Sequence, residues 1–259
     1  NNKKLFKKIY RGSGQQNIDL NELNKIYIPI PSIEKQNDII IKLTDLNEQI
    51  ELLEKRKEGI NRQIKYTFEN FVQKEETEIK TLEDIIDINI GSTPSTKESE
   101  YWNGDHKWIS VSELNNNTIP IIDSKKKLTD KAIKKCKPRL VKKGSVLMSF
   151  KLSIGKLGIA GADLYTNEAI IQMDTSDPFL NKWLYYYFFT FPPKGASGSI
   201  GQGNLNKEKL KKLDVILIKN KQNEIIKYLD KLEEKKNSID QEILDIDNTM
   251  KHILEESYL

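Results

Sequence analysis

Cysteine and histidine are almost missing from this chain: Cys136 stands alone, and His106 and His252 are the two histidines. A single cysteine forms no intrachain disulfide, and three such residues scattered through 259 offer no Cys/His cluster of zinc-ligand spacing. A reducing cytoplasm fits that composition. Long apolar runs are missing as well. The longest, Trp183 to Phe191 (WLYYYFFTF), has nine residues, far below the roughly 20 that cross a bilayer. No signal peptide precedes it, so the expectation is a cytoplasmic protein without membrane contact. Motifs of chemistry are absent too: no GxxxxGK[ST] phosphate loop, no Gly-rich strand-turn, and no Asn/Asp-Pro-Pro-aromatic run, since Phe191-Pro192-Pro193 lacks the leading amide or acid. Glu78-Ile79-Lys80 has half the spacing of a nuclease motif without an upstream Asp to complete it. The Gly198 to Gly203 cluster has no strand-helix context for a phosphate cradle. The chain is expected to catalyse nothing, to bind no cofactor and to hold no metal.

What the sequence does contain is a repeat. KQNDII at Lys35 to Ile40 returns as KQNEII at Lys221 to Ile226, and Gly14-Gln15-Gln16-Asn17 returns as Gly201-Gln202-Gly203-Asn204. Each copy reads Gly-Gln-x-Asn, a short linker, a β-like apolar stretch (IYIPIP or DVILI) and then a helix start. Repetition of this kind marks a supersecondary unit used twice.

Both copies run into helical periodicity. In the first, apolar residues fall at Ile39, Leu43, Leu46, Ile50, Leu53, Ile60, Ile64, Phe68 and Phe71, with Lys57 in a skipped place. In the second they fall at Ile225, Leu229, Leu232, Ile239, Ile243, Ile246, Met250 and Ile253, with Lys236 in the skipped place. Steps of three and four sustained over about five heptads describe a coiled-coil seam. Two such helices of equal length from one chain can bury both stripes against each other, so an antiparallel coiled coil is expected; packing of each helix on a globular body is the competing arrangement. The Glu/Lys-rich faces at Glu48 to Glu58 and Glu233 to Lys236 read as the solvated side of the pair.

Between the helices, from about Glu78 to Lys219, heptads give way to short β-like runs punctuated by Gly, Ser, Thr and Pro, the texture of a separate globular domain. The fold class expected is α+β, one globular mixed α/β domain flanked by two long helices. The boundaries are 1–33 (tail of an upstream domain and connector), 34–74 (first helix), 78–219 (globular domain) and 220–257 (second helix). Charge is concentrated in that domain. From Lys125 to Lys156 there are eleven lysines and Arg139 against one acid, Asp130, a local net of +11 in a chain whose total is +4. A cationic stretch on a folded domain is the footprint of a polyanion site, although a general lysine bias produces the same composition. Lys125, Lys126 and Lys127 head the run.

Polar and aromatic residues are interleaved with this charge. GSTPSTKESEYWNG (Gly91 to Gly104) places Ser92, Thr93, Ser95 and Lys97 on a loop, because Pro94 excludes a regular helix there, followed by Tyr101 and Trp102. SFKLSIGKLGI (Ser149 to Ile159) offers Lys151, Ser153 and Lys156 beside glycines where a backbone can approach a phosphate. Hydroxyls and amines on phosphate fix register, and side chains at base edges read sequence. Trp102, Trp108 and the aromatics of 183–191 read more readily as core or loop anchors than as stacking platforms.

GSTPSTKESEYWNGDHKWISVSEL (Gly91 to Leu114), VKKGSVLMSFKLSIGKLGIA (Val141 to Ala160), TNEAIIQM (Thr166 to Met173) and the run from NLNKEKLKKLDVILI to KQNEII resemble a target recognition domain and conserved region of a Type I restriction-modification specificity (S) subunit. IPIPSIEKQNDII (Ile28 to Ile40) resembles that family's connector into its other conserved helix. The resemblance spans nearly the whole chain. It implies that the recognition domain reads one half of a split site in double-stranded DNA, and that the antiparallel coiled coil sets the gap between halves. It also implies that methyltransferase subunits, which bind S-adenosylmethionine themselves, dock on the helices and that a restriction subunit joins to cleave. By the same resemblance the loops around Thr93 to Trp102 and Lys151 to Lys156, and the segment carrying Ser197 and Gln202, face DNA.

The family's usual chain carries two recognition domains, and this sequence has one, with Asn1 to Leu23 aligning to the tail of another. It reads as the C-terminal portion of a longer subunit or as a half-subunit forming a homodimer, which would read a palindromic split site. Two other readings remain: the recognition end of a single-chain methylase-nuclease, and a non-enzymatic coiled-coil hinge protein, which leaves the Gly-Gln-x-Asn repeat without a reason.

Overall fold

The structure, a computed structural model, describes residues 10–11, 17–18, 30–114, 120–151, 153–193, 205–219 and 222–257. In chain order, β1 (Tyr10–Arg11) and β2 (Asn17–Ile18) precede the 42-residue helix α1 (Ile33–Lys74). Then come β3 (Thr77–Thr81), α2 (Leu82–Ile85), β4 (Asn89–Ile90), β5 (Trp102–Ile109), β6 (Lys126–Leu128) and α3 (Asp130–Cys136). They are followed by β7 (Val146–Ser149), β8 (Leu157–Ile159), β9 (Tyr165–Thr166), β10 (Ile170–Met173), α4 (Pro178–Thr190), α5 (Lys207–Lys211) and β11 (Asp214–Ile218). The 36-residue helix α6 (Gln222–Ser257) closes the series. This is the expected α+β class with a long helix on either side of a mixed domain. No described helix is long and apolar enough to cross a membrane. The chain divides into two units, Asn1–Ile50 with Asp245–Leu259, and Glu51–Leu244.

The repeated KQN does the same local work twice. The Gln36 side-chain amide donates to the Pro31 carbonyl at 2.8 Å, and the Gln222 amide donates to the Ile218 carbonyl at 2.7 Å. Each glutamine satisfies a carbonyl just before its helix and so fixes where the helix leaves the preceding segment.

In the first unit, Ile39, Leu43, Leu46 and Ile50 of α1 and Ile246, Met250 and Ile253 of α6 are half-buried, with exposed residues between them. That is the burial pattern of a narrow stripe on each helix. In the second unit the antiparallel pairing is explicit: Lys57 meets Asp240, Asn61 meets Lys236 and Gln63 meets Tyr228, so that one number falls as the other rises. Here Leu53 and Ile60 are half-buried, Ile64 and Ile239 are buried, and Ile243 is half-buried. Ile225, Leu229 and Leu232 join Ile64, Phe68 and Val72 in the core of the globular domain, so helix-on-helix and helix-on-body packing both operate.

That core centres on α4. Asp177 caps its first turn, accepting from the Phe179 amide at 2.8 Å, and Pro178 at the first helical position fits the fixed φ of a helix start. Every residue from Trp183 to Phe189 is buried, each large side chain worth about 1.5–3 kcal/mol of apolar transfer. The Trp183 ring lies 4.7 Å from that of Phe68, and its indole donates to the Ile216 carbonyl at 2.9 Å. The aromatics of 183–191 are core, in keeping with the sequence.

One face departs from the sequence expectation. Glu233 to Lys236 has the composition of a solvated surface, and Glu234 and Lys235 are exposed as expected, yet Glu233 is 3% and Lys236 0% exposed. The cause is α4, whose Phe189 ring lies under the Lys236 ammonium at 5.5 Å.

Three sheets frame the domain. The order β4-β10-β7-β8 is antiparallel throughout. Strand β3 pairs with β11 from Thr77↔Ile218 to Thr81↔Asp214, joining the end of α1 to the start of α6. The third sheet, β6-β5-β9, is mixed, with β5 antiparallel to β6 and parallel to β9. It packs through Trp108, Leu128, Ala132 and Tyr165, with Tyr101 and Trp102 against them.

Candidate nucleic-acid interface

The third sheet and the loop before it bring together residues that lie far apart in sequence. Gly91 sits so close to Thr166 and Asn167 that a Cβ would collide with their carbonyls, which explains glycine at the head of the loop. Next to it the Ser92 amide donates to the Thr166 carbonyl at 2.9 Å, and the Ser92 carbonyl accepts from the Trp108 indole at 3.1 Å. The Ser95 carbonyl accepts from the Trp102 indole at 3.1 Å. Both tryptophans therefore anchor the loop through their N–H groups, and they meet each other edge to face at 5.1 Å.

Lys126 closes this group. Opposite Trp108 in the β5–β6 ladder, its ammonium lies 5.5 Å from the Trp102 ring centre and 5.9 Å from that of Trp108. Two indole faces hold the cation while it stays exposed to solvent. Lys126, Lys127, Trp102, Thr96 and Asn103 line a shallow hollow of about 160 Å³. Asn103 has φ +64°, and Trp102 and His106 both face Leu128, so Asn103 to Asp105 bulge out of the ladder. Gly104 presses against Leu128 and Thr129 without room for a Cβ, which forces the bulge outward.

Thr93 and Lys151, on loops 58 positions apart in the sequence, share one acid. The Thr93 hydroxyl donates to the Glu168 carboxylate. That bond, the backbone N–H of Glu168 itself and the nearby Lys151 charge hold the Glu168 carboxyl below its ordinary range. Lys151 lies over the Phe150 ring at 5.2 Å. The turn that carries it is built by Ser149, whose hydroxyl donates to the Ser153 carbonyl and accepts from the Lys156 amide at 3.0 Å. Gly155, at φ +84°, supplies the left-handed residue that the turn needs.

Other sequence-predicted residues lie around this group. Lys97 is exposed, and Tyr101 is half-buried against the third sheet. The Lys125 amide donates to Glu113 at 2.8 Å. Lys127 pairs with Asp123 at 3.4 Å, and the Ser124 amide and Lys127 together hold that carboxyl below its ordinary range. Ser197 and Gln202 lie outside the described residues. Partners from beyond the basic run also meet Lys131, through Glu100, and Lys142, through Asp163 at 3.1 Å. Lys134, Lys135, Lys137 and Arg139 are exposed on and after α3. Sequence reasoning misses Glu168, Ser149 and Asn103. Only the Asn-Gly pair at 103–104 carries a local signal, that of a turn. Among the described residues, no group of three His, Cys, Asp or Glu could hold a metal ion.

A family model described as Type I restriction modification DNA specificity domain matches residues 1–62 and 74–246. The chain belongs to this family. Among curated proteins, the Type I restriction enzyme MjaIX specificity subunit of Methanocaldococcus jannaschii is 38% identical over 114 residues, 44% of this chain and 26% of that protein. The match thus spans about a quarter of the relative's length. Two solved structures share the fold. The HsdS subunit from Thermoanaerobacter tengcongensis is 15% identical with TM-score 0.50, the comparison covering 98% of this chain and 67% of that one. The type I restriction-modification S subunit from M. genitalium is 16% identical with TM-score 0.60, covering 97% and 68%.

Proposed function

We propose that this chain is a non-catalytic DNA-recognition part of a type I restriction-modification system and that its globular domain reads one half of a split site in double-stranded DNA. Family membership supports the coarse reading. The observation that carries the finer one is the Ser92–Lys97 loop, which is tied through Thr93 to Glu168 beside Lys151 and through Ser95 to Trp102 beneath Lys126. Hydroxyls, amines and backbone N–H groups there can take phosphates, and the hollow beside Asn103 admits a base edge. Methyltransferase subunits, which supply S-adenosylmethionine, dock on α1 and α6 in this reading. A restriction subunit joins them in the cytoplasm, and a second copy of the chain or an upstream recognition domain supplies the other half-site.

The helix pair then sets the gap. Inserting seven residues in both helices lengthens each by about 10 Å, or about three base pairs. The test is selection from a randomised duplex library by the chain mixed with the methyltransferase encoded beside it, with light scattering to give the stoichiometry. Enrichment of a split sequence whose gap grows with the insertion is the expected result. A complex that enriches no sequence, or a gap indifferent to the insertion, overturns the reading.

A further inference from the structure

A charged column runs along α6 where apolar side chains would serve packing better. Asp230, Glu233, Lys236 and Asp240 follow one another at steps of three, three and four, which puts them on one helix face. Asp230 accepts from the Lys182 ammonium and, at 2.9 Å, from the Tyr186 hydroxyl, both on α4. One turn on, Glu233 lies 2.9 Å from Lys236, whose ammonium also donates to Asn61 of α1 at 3.1 Å. Asp240 then accepts from Lys57 of α1. The two lysines fill the two skipped places of the heptad seam. The upper half of the column thus addresses the globular domain through α4, and the lower half addresses the partner helix.

Burying such groups is costly, and a well-packed apolar replacement is often as stable or more so. Apolar surfaces also tolerate sliding and rotation, whereas ion pairs with fixed partners do not. We propose that this column is the seat that fixes the orientation of the recognition domain on the helix pair, with Glu233 and Lys236 as positioning residues for gap-selective DNA recognition. The seat itself stands on geometry alone; its effect on DNA rests on the reading under Proposed function.

The test compares the full chain with E233M/K236M, both carrying C136S and spin labels at Lys55 and Lys134. Both label sites are exposed, and the natural Cys136 is removed from labelling. Pulsed dipolar spectroscopy is expected to give a wider distance distribution for the variant at an equal or higher melting temperature. Its preference for the native gap over one changed by a base pair should fall by about tenfold, within the range of one mismatched position. A distribution of unchanged width overturns the proposal. Should E233M/K236M fail to fold, K182M/D230L breaks the same column at its half-exposed end and is judged by the same width. A parent chain without gap preference sinks the DNA reading and leaves the distance measurement to decide the seat.

Discussion

Two groups of lysines use the same side chain in opposite ways. The lysines from Lys125 to Lys156 lie mostly at the surface, and their acid partners Asp123, Glu100 and Asp163 come from outside that run. Lys57 and Lys236 lie between helices, and Lys236 has no exposed surface at all. In water an ammonium keeps its hydration, so a surface lysine contributes a long-range field and little stability. Inside, the charge must be matched by partners held in place. Burial pushes the Glu233 carboxyl up and the Lys236 amine down, each toward its neutral form, and their mutual attraction opposes both shifts. What a lysine does for binding is therefore separable from what it does for the fold.

The largest effect should come from removing one member of the interior pair. K236M leaves Glu233 buried with no cation beside it, and breaking a buried pair from one side costs about 3–5 kcal/mol. Thermal and urea unfolding should show that loss, while the salt dependence of DNA binding by the remaining folded protein should match the parent. Equal stability of K236M and parent would mean that water reaches Glu233 and that the interior is not closed.

The surface group should give the mirror image. K134A/K135A/K137A removes three exposed cations, and exposed sites usually change stability by no more than about 0.5 kcal/mol each. DNA affinity should fall for every sequence, with the slope of log affinity against log salt shrinking by about 0.9 for each phosphate no longer neutralised. An unchanged slope would remove these lysines from the interface.

Lys126 stands between the two groups, exposed yet held over two indoles. K126A should therefore register in both measurements, losing about 0.5–1 kcal/mol of cation–π stabilisation and reducing the slope by roughly the amount that one phosphate contributes. A change in only one of the two would assign Lys126 wholly to the fold or wholly to binding.

The same contrast explains what was legible in the sequence. Ile39, Leu43, Leu46 and Ile50 announce a helix seam because periodicity is local, and the apolar run from Trp183 to Phe189 announces core for the same reason. Glu233 and Lys236 mislead because an acid and a lysine three apart resemble any solvated helix face. Lys236 lies over Phe189, 47 positions earlier on α4. Likewise nothing beside Glu168 says that it will hold Thr93, 75 positions away. The loops with Thr93 and Lys151 could be picked out singly by composition. That one acid joins them is a property of sheet pairing, in which the β10 strand bonds β4 on one side and β7 on the other.

That junction provides the smallest effect expected. The Glu168 carboxyl is held low, first by the Thr93 hydroxyl, then by its own backbone N–H and the Lys151 charge. A carboxyl with a depressed folded pKa stabilises above its unfolded value and loses that contribution as pH falls through the folded one. Acidification should therefore loosen the Thr93 loop while the buried Glu233–Lys236 pair, reached only by unfolding, stays closed. Hydrogen exchange should rise at the Ser92 and Glu98 amides, which bond the Thr166 and Ser95 carbonyls, as pH drops below the ordinary carboxylate range, once the intrinsic pH dependence of exchange is divided out. T93V removes the hydroxyl that contributes most to the depression, so its loop should exchange faster at neutral pH and respond less to acid. A loop that responds to acid equally in T93V and parent would place the sensitive carboxylate elsewhere and detach Glu168 from the Thr93 loop.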